Sequence, residues 1–367
     1  MRTVLLLMLS CLLCAGVASS APGGVAERLR QVVSAERDRV QAQAVLFGMW
    51  VGDREVLTTA LGHSMTSVPA RTDMHYRIGG ITETFQATLL ARLAEEGRLD
   101  LDAPISRWVP DLLEADRVTP RMLVANTAGY PDYVLDADFV DLITREPFRE
   151  LTADELIAWA VKKGRMDYPP GTSQRYSHTD YVILARVMEL ATGQGMAELY
   201  RQYILEPYGL EDTQFPSDQE IQPPVLHAFL ADRGVYEDST YYNPSWAGAT
   251  GGLTSNLRDL GRWGHLFGTG ALVSPASFRE MTATTSVGKG RNRPDLYFAW
   301  GFVVANGWYV QNPNMNGYSG GFAYHPPTGT TLVVAATRSP KTTVVSPAFE
   351  ILRKAVATVT PDSPLNF

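Results

Sequence analysis

Cysteine is nearly absent from this chain of 367 residues: the sequence contains only Cys11 and Cys14, both near the N-terminus. The rest of the chain therefore has no disulfide, cysteine nucleophile or thiolate metal site. An excess of positive charge is also missing, because 32 Lys and Arg oppose 39 Asp and Glu for a net charge of -7. Such a chain has no basic field for nucleic acid or an anionic membrane surface, so we expect no nucleic-acid partner.

Long apolar runs are scarce, and the main one covers residues 4–17. Arg2 precedes this run and small residues from Ala18 to Ala21 follow it, which is the order of a secretory signal peptide. We expect residues 1–20 to be removed and the protein to be secreted, periplasmic or otherwise extracytoplasmic, without a membrane span. An uncleaved anchor is one alternative, and lipidation at Cys11 is another, although Met8 fits a lipoprotein motif poorly.

Hydrophobic periodicity predicts strands near both ends of the chain and helices between them. The predicted elements are a helix over 25–43, strands at 45–50, 55–59, 298–304, 308–311 and 331–337, a helix over 181–192 capped by Gly193, and a final helix over 346–359. We expect one domain over residues 25–360. Its sheet lobe would come from 25–79 and 295–359, and its helical lobe from about 85–290, with a cleft between the lobes.

A series of motifs follows in unbroken order between residues 26 and 355. The series comprises Y-R-I-G-G-I-T-E-T-F from Tyr76, G-R-L-D-L-D from Gly97, N-T-A-G-Y-P-D-Y from Asn126, Y-P-P-G-T from Tyr168, Y-S-H-T-D-Y from Tyr176, L-E-P-Y-G-L from Leu205, A-T-G-G-L from Ala249 and G-Y-S-G-G-F from Gly317. This order resembles serine β-lactamases and penicillin-binding proteins, in the branch of class C β-lactamases, D-alanyl-D-alanine carboxypeptidases and esterases. The resemblance implies a β-lactamase/transpeptidase-like fold of the α/β (α+β) class. Such a fold has an antiparallel sheet flanked by helices and a mostly helical lobe.

The nucleophile motif of that family is Ser-x-x-Lys, and both defining residues are replaced here. Gly80 stands at the serine position and Glu83 at the lysine position. Glycine has no side chain that can form an acyl-enzyme, and a carboxylate cannot stabilise an alkoxide as an ammonium does. The resemblance therefore implies a serine hydrolase fold without the inherited mechanism, and no catalytic residue is assigned with certainty.

The other two motifs also depart from the family pattern. Tyr176 matches the acid–base tyrosine, His178 replaces an asparagine, and Tyr318 with Gly320 stands where we place the third motif, Lys-Thr-Gly or His-x-Gly. The resemblance implies an oxyanion hole formed by the N–H groups of Gly80 and Gly321.

We therefore expect Gly80, Gly321, Tyr176 and Tyr318 to contact a ligand. Because the family's two cations are lost, a neutral or cationic ligand is favoured over an anion.

Glu83 has three interpretations. As the third residue of a helix capped by Gly80, it would stabilise the helix terminus. Alternatively, oriented by Tyr176 or His178, it would activate a water in the space that Gly80 leaves. A metal site of Glu83 and His178 lacks a third ligand, and the other histidines have no metal-like spacing, so we expect neither metal nor cofactor.

An aromatic group formed by Tyr236, Tyr241, Tyr242 and Trp246 lies either along the cleft or in the core.

These features predict an exported pseudoenzyme with a binding or scaffolding role at the cell envelope, whose cleft holds a small molecule or a peptide. The alternative is a hydrolase of an ester, amide or peptide bond in which Glu83 activates water. The sequence leaves the oligomeric state open.

Overall fold

The computed structural model describes residues 22–365, so the predicted signal peptide and Cys11 lie outside the described residues. The strands are β1 (Ala42–Val51), β2 (Arg54–Met65), β3 (Val68–Pro69), β4 (Tyr76–Arg77), β5 (Phe229–Leu230), β6 (Glu237–Asp238), β7 (Thr254–Ser255), β8 (Leu296–Phe298), β9 (Val303–Ala305), β10 (Trp308–Gln311), β11 (Asn314–Met315), β12 (Tyr318–His325) and β13 (Thr330–Arg338).

Ten α-helices lie in the described part of the chain. They are α1 (Pro22–Val40), α2 (Thr82–Glu95), α3 (Pro120–Val124), α4 (Ala137–Arg145), α5 (Ala153–Val161), α6 (His178–Thr192), α7 (Met196–Tyr200), α8 (Leu257–Thr269), α9 (Pro275–Met281) and α10 (Pro347–Val359). Short 3-10 turns cover Gly79–Ile81, Ile105–Arg107, Tyr133–Leu135 and Pro244–Thr250, and a π-helical turn covers Arg201–Leu205.

One antiparallel sheet carries nine strands in the order β3-β2-β1-β13-β12-β10-β9-β8, with β11 paired to β12. The first strands of the chain thus pair with the last, because β1 lies between β2 and β13. Helices α1 and α10 cover one face, while α8 packs against β13 and β1 on the other. Neighbouring residues of β1 enter different cores, Leu46 the core that contains Trp263 and Phe47 the core beneath α10. Both faces of the sheet are therefore covered, as the resemblance implied.

Several predicted elements are confirmed. Strands β1 and β2 meet across Gly52, whose φ of 59° suits a tight turn. Helix α6 ends at Gly193, which has a φ of 71° and donates its N–H to the carbonyl of Glu189. The predicted helices over 25–43 and 346–359 correspond to α1 and α10.

One strand prediction needs correction, and one strand was missed. The expected strand over 298–304 is two strands, β8 and β9, because Gly301 between them has a φ of 76°. A Cβ at Gly301 would come within 2.5 Å of the main-chain oxygen of Glu83. Strand β12 was not predicted, since its glycines and aromatic residues were interpreted as a site motif.

In the described residues 22–365, no helix has the length and apolar character needed to cross a membrane.

Candidate functional site

The degenerate nucleophile motif lies between β4 and α2, on the 3-10 turn Gly79–Ile81. Gly79 has a φ of 53°, and a Cβ there would approach Pro313 Cβ to 2.7 Å. Gly80 is different, since a Cβ at this position would lie 3.3 Å from Gln311 Oε1 and 3.3 Å from Glu83 Oε1. The place where a nucleophilic side chain would project is therefore bordered by Gln311, Glu83 and Pro313.

Glu83 is fully buried in the first turn of α2. Its Oε1 accepts a hydrogen bond from the Tyr176 hydroxyl at 2.5 Å, and its Oε2 accepts one from Gln311 Nε2 at 3.2 Å. The capping interpretation needs correction, because the residue in the cap position of α2 is Ile81 and the carboxyl group faces Tyr176 and Gln311 instead.

Burial raises the pKa of Glu83 from its ordinary value of 4.5 to about 8, although the hydrogen bonds from Tyr176 and Gln311 act in the opposite direction. The negative charge of Asp132 raises it further. Glu83 is thus mainly protonated at pH 7, so the site carries less negative charge than the sequence suggests.

Tyr176 connects Glu83 to the open side of the site. Although 36% of Tyr176 is exposed, its hydroxyl end lies against Glu83. Burial, followed by the charge of Glu83, raises the pKa of Tyr176 well above its ordinary value. The tyrosine therefore acts as a hydrogen-bond donor to Glu83 rather than as a phenolate.

His178 pairs with Asp132 and not with Glu83. Its Nδ1 lies 3.1 Å and 3.3 Å from the two carboxylate oxygens of Asp132, whose side chain is almost completely buried. A carboxylate only accepts hydrogen bonds, so Nδ1 of His178 is the donor in this contact. The ring stands edge-on to Tyr176 with 4.9 Å between the ring centroids. Of the two predicted orienting residues, only Tyr176 contacts Glu83.

Asp132 was quoted in the sequence motif but was not predicted as a site residue. It caps the 3-10 turn Tyr133–Leu135 by accepting from Val134 N, which holds its carboxylate in place for His178. The sequence signal for Asp132 was its place in the N-T-A-G-Y-P-D-Y loop, two residues after Tyr130. Its role becomes apparent only from its contact with His178 in the folded protein.

The third motif was assigned to the wrong strand. Tyr318 is buried, and its hydroxyl donates to the main-chain oxygen of Leu226 at 2.6 Å, away from Glu83. The residue that reaches Glu83 from the sheet is Gln311, at the end of β10. Its Nε2 also donates to Gly301 O at 2.6 Å, which fixes the orientation of the amide.

The expected oxyanion hole also needs correction. Strand β12 has neighbours along both edges, β13 on one side and β10 and β11 on the other. Main-chain N–H groups of such a strand lie in the plane of the sheet and meet these neighbours. Accordingly, Gly320 N donates to Pro313 O at 2.8 Å, and Gly321 faces α10, where a Cβ would lie 3.3 Å from Leu352 Cβ. Neither glycine presents a donor beside Gly80.

Part of the aromatic group lies along a cavity of about 290 Å³ beside the site. Tyr242 and Trp246 line it together with Tyr318 and Asn316. Trp246 Nε1 donates to Asn316 Oδ1 at 3.0 Å, and its ring centroid lies 6.5 Å from that of His178. These two residues fit the cleft alternative. Tyr236 lies on the surface, where its hydroxyl donates to the main-chain oxygen of Arg338.

Within residues 22–365, no group of three or more His, Cys, Asp or Glu side chains is arranged to hold a metal ion.

The fold and the motif positions define a penicillin-binding-protein-like serine hydrolase fold. The chain belongs to the β-lactamase family, whose model matches residues 29–357.

Among curated proteins, the chain is 26% identical to penicillin-binding protein 4 of Amycolatopsis lactamdurans over 70% of this chain and 67% of that protein. It is 28% identical to esterase EstB of Burkholderia gladioli over 41% of this chain, a match that spans 40% of the esterase.

Solved structures agree on the fold. A D-stereospecific amidohydrolase from Streptomyces sp. matches with a TM-score of 0.80 and 24% identity, covering 92% of this chain and 99% of that one. A D-amino acid amidase from Ochrobactrum anthropi SV3 matches with a TM-score of 0.75 and 20% identity, covering 91% of this chain and 99% of the other. At these identities the likeness shows the fold alone.

Proposed function

We propose that this protein is an exported pseudoenzyme of the β-lactamase family that binds a ligand in its cleft at the cell envelope without acyl transfer. The observation that carries the proposal is the pairing of a nucleophile position occupied by Gly80 with a buried carboxyl group at Glu83. An acyl-enzyme needs a nucleophilic side chain and a base beside it, and this pair supplies neither.

The surroundings of Gly80 support the same proposal. Gln311 Oε1 and Glu83 Oε1 each lie 3.3 Å from the place of a Cβ at Gly80, and Pro313 Cβ lies 3.8 Å from it. A water that attacks a bound carbonyl needs a base that is free to take its proton. Both oxygens of Glu83 already accept hydrogen bonds, and burial keeps the carboxyl group mainly protonated at pH 7 because its pKa is raised to about 8.

A second candidate function is hydrolysis by an activated water, and the contact between Asp132 and His178 favours it. An imidazole whose Nδ1 is held by a carboxylate leaves Nε2 able to accept a proton. Tyr176 and Glu83 would then act as proton donors nearby, since the carboxyl group of Glu83 is mainly protonated. In this candidate the base is His178, and not Glu83 as the sequence suggested.

A hydrolysis assay separates the two functions. Protein without residues 1–20 is incubated with a short-chain chromogenic ester, a chromogenic cephalosporin and a D-amino-acid amide. The same panel is run with Glu83→Gln, with His178→Asn and with the surface control Tyr236→Phe. We expect all four proteins to give the background rate. Turnover that is lost in His178→Asn or Glu83→Gln but kept in Tyr236→Phe would refute the pseudoenzyme proposal.

Mass spectrometry of the intact protein after penicillin treatment provides an independent check. We expect the mass to stay unchanged, because Gly80 cannot be acylated. A stable adduct of the size of one penicillin would contradict the proposal and would point to another nucleophile in the cleft.

A further inference from the structure

A second cavity, of about 410 Å³, lies in the helical part of the molecule, and Glu83, Tyr176 and His178 are not among its lining residues. Its walls come from the start of α5, one side of α6, the start of α7, the loop 215–219 and the turn Pro244–Thr250. Its volume falls in the range of small-molecule sites. None of its lining residues was singled out by the sequence motifs as a ligand contact.

The walls of this cavity are mainly apolar and built from small residues. Its apolar lining is Leu151, Ala153, Val182, Ala185, Gly195, Met196, Ala197, Phe215, Pro216, Pro244, Gly248, Ala249 and Gly252. Gly195 has open space beside it, whereas a Cβ at Gly248 would lie 2.9 Å from Val182 Cγ2 and one at Gly252 2.4 Å from Phe215 Cε2, so these two glycines let the chain pack closely on the cavity walls. Phe215 adds a ring against which a flat apolar group can pack.

The charges around the cavity are unbalanced. Three carboxylates, those of Glu150, Glu189 and Asp218, line it together with one cation, Arg186. Arg186 Nη1 lies 3.7 Å from Glu189 Oε2, and its Nε lies 3.8 Å from Asp154, which adds another acid nearby. The lining therefore has an excess of negative charge, which attracts a cation and repels an anion.

The turn Pro244–Thr250, which forms one wall of this cavity, also leads to the motif that contains Gly80. Gly248 and Ala249 line the cavity, while a Cβ at Gly251 would lie 3.2 Å from Met315 Sδ and 3.5 Å from Gly79 Cα. A ligand in the cavity would therefore pack against a segment whose continuation contacts the turn that holds Gly80.

We propose that this cavity binds a small amphipathic amine, with its flat apolar body against Phe215 and the alanines and its ammonium group among Glu150, Glu189 and Asp218. The apolar walls would remove the apolar part of the ligand from water, which favours binding. The excess of carboxylates would favour a positively charged ligand over an anion. This site is independent of whether the Glu83 site is catalytic, so each proposal can fail without the other.

Calorimetric titration with three indoles of similar shape tests the proposal. Tryptamine carries an ammonium, indole is neutral and indole-3-acetate is an anion. We expect tryptamine to bind saturably at one site, and to bind about tenfold or more tightly than indole-3-acetate, with indole between them. Absence of saturable tryptamine binding, or equal binding of the anion, would overturn the proposal.

Two variants locate the binding. Gly195 has a φ of -74° and no atom within 4 Å of a built Cβ, so Gly195→Phe places a ring at the cavity without strain. We expect it to weaken tryptamine binding at least about tenfold while the melting temperature stays close to that of the parent.

Glu150→Gln should weaken tryptamine binding about threefold and leave indole binding unchanged, whereas the exposed control Glu211→Gln should change neither. Unchanged tryptamine binding in both Gly195→Phe and Glu150→Gln would show that the amine binds elsewhere.

Discussion

Replacing Glu83 by glutamine should make the protein more stable at neutral and alkaline pH, although it removes a side chain at the centre of the site. Glutamine keeps the shape of glutamate and cannot ionise. Its Oε1 can accept from Gln311 Nε2, which keeps its bond to Gly301 O, and its Nε2 can donate to the Tyr176 hydroxyl oxygen. The variant therefore isolates the cost of a carboxylate in a fully buried position.

The magnitude follows from the pKa of Glu83, which burial raises from 4.5 to about 8. Because the folded protein holds this proton more tightly than the unfolded chain does, the free energy of unfolding falls as the pH rises from about 4.5 to about 8. Each pH unit in this window costs up to about 1.4 kcal/mol, so the parent loses about 3 kcal/mol by pH 7 relative to pH 4.5. Glu83→Gln should escape this loss.

Urea denaturation at half-unit steps between pH 4.5 and pH 8.5 measures the effect. We expect the two proteins to be similar in stability near pH 4.5 and the variant to gain steadily above it, until the difference levels off near pH 8. Glu211→Gln, which removes an exposed carboxyl group, controls for the change in net charge. A difference between Glu83→Gln and the parent that does not vary with pH would refute the inference that burial perturbs Glu83.

Three further predictions concern single contacts. Tyr176→Phe removes a hydrogen bond that lowers the pKa of Glu83, so the pKa of Glu83 should rise further, as carboxyl NMR titration would show; an unchanged pKa would contradict the contact. Gly301→Ala should lower the free energy of unfolding by about 2 kcal/mol or more in urea denaturation, because residue 301 has a positive φ and the new Cβ would contact the main chain of α2. An unchanged free energy of unfolding would mean that the backbone at residue 301 adapts to the new side chain. Thr152→Ala should cost about 1 kcal/mol by breaking the capping box with Glu155, whereas Thr152→Ser should cost little.

The elements that the sequence predicted are those whose signals are local. The turn at Gly52 joins two strands of regular pattern, and Gly193 ends a helix of regular apolar spacing, so short-range physics is sufficient. The order of motifs along the chain was equally informative about the fold, and the family match over residues 29–357 agrees with it. The division of the strand at Gly301 was not visible, because its cause is the approach of α2 from far along the chain.

In the candidate site, too, some features are visible in the sequence and others depend on tertiary contacts. The replacements at Gly80 and Glu83 are apparent from the motif alone, because they stand at fixed places in a recognisable series. The third motif was misplaced, since Tyr318-Ser319-Gly320 matches the expected pattern better than the segment that begins at Gln311. Only the strand order, with β10 beside β12, shows that Gln311 faces Glu83.

The sequence by itself therefore determined the class of fold and the presence of Gly80 and Glu83 in the motif between β4 and α2, since both depend on the identity and order of residues. The tertiary structure decided the protonation of Glu83, the partner of His178 and the residue that takes the place of the third motif. Burial and contacts between distant segments set these properties. The sequence does not show them, because a glutamate at position 83 is the same residue whether its carboxyl group lies in water or in the protein interior. That difference of environment shifts the pKa of Glu83 to about 8 and turns an apparent base into a mainly protonated group.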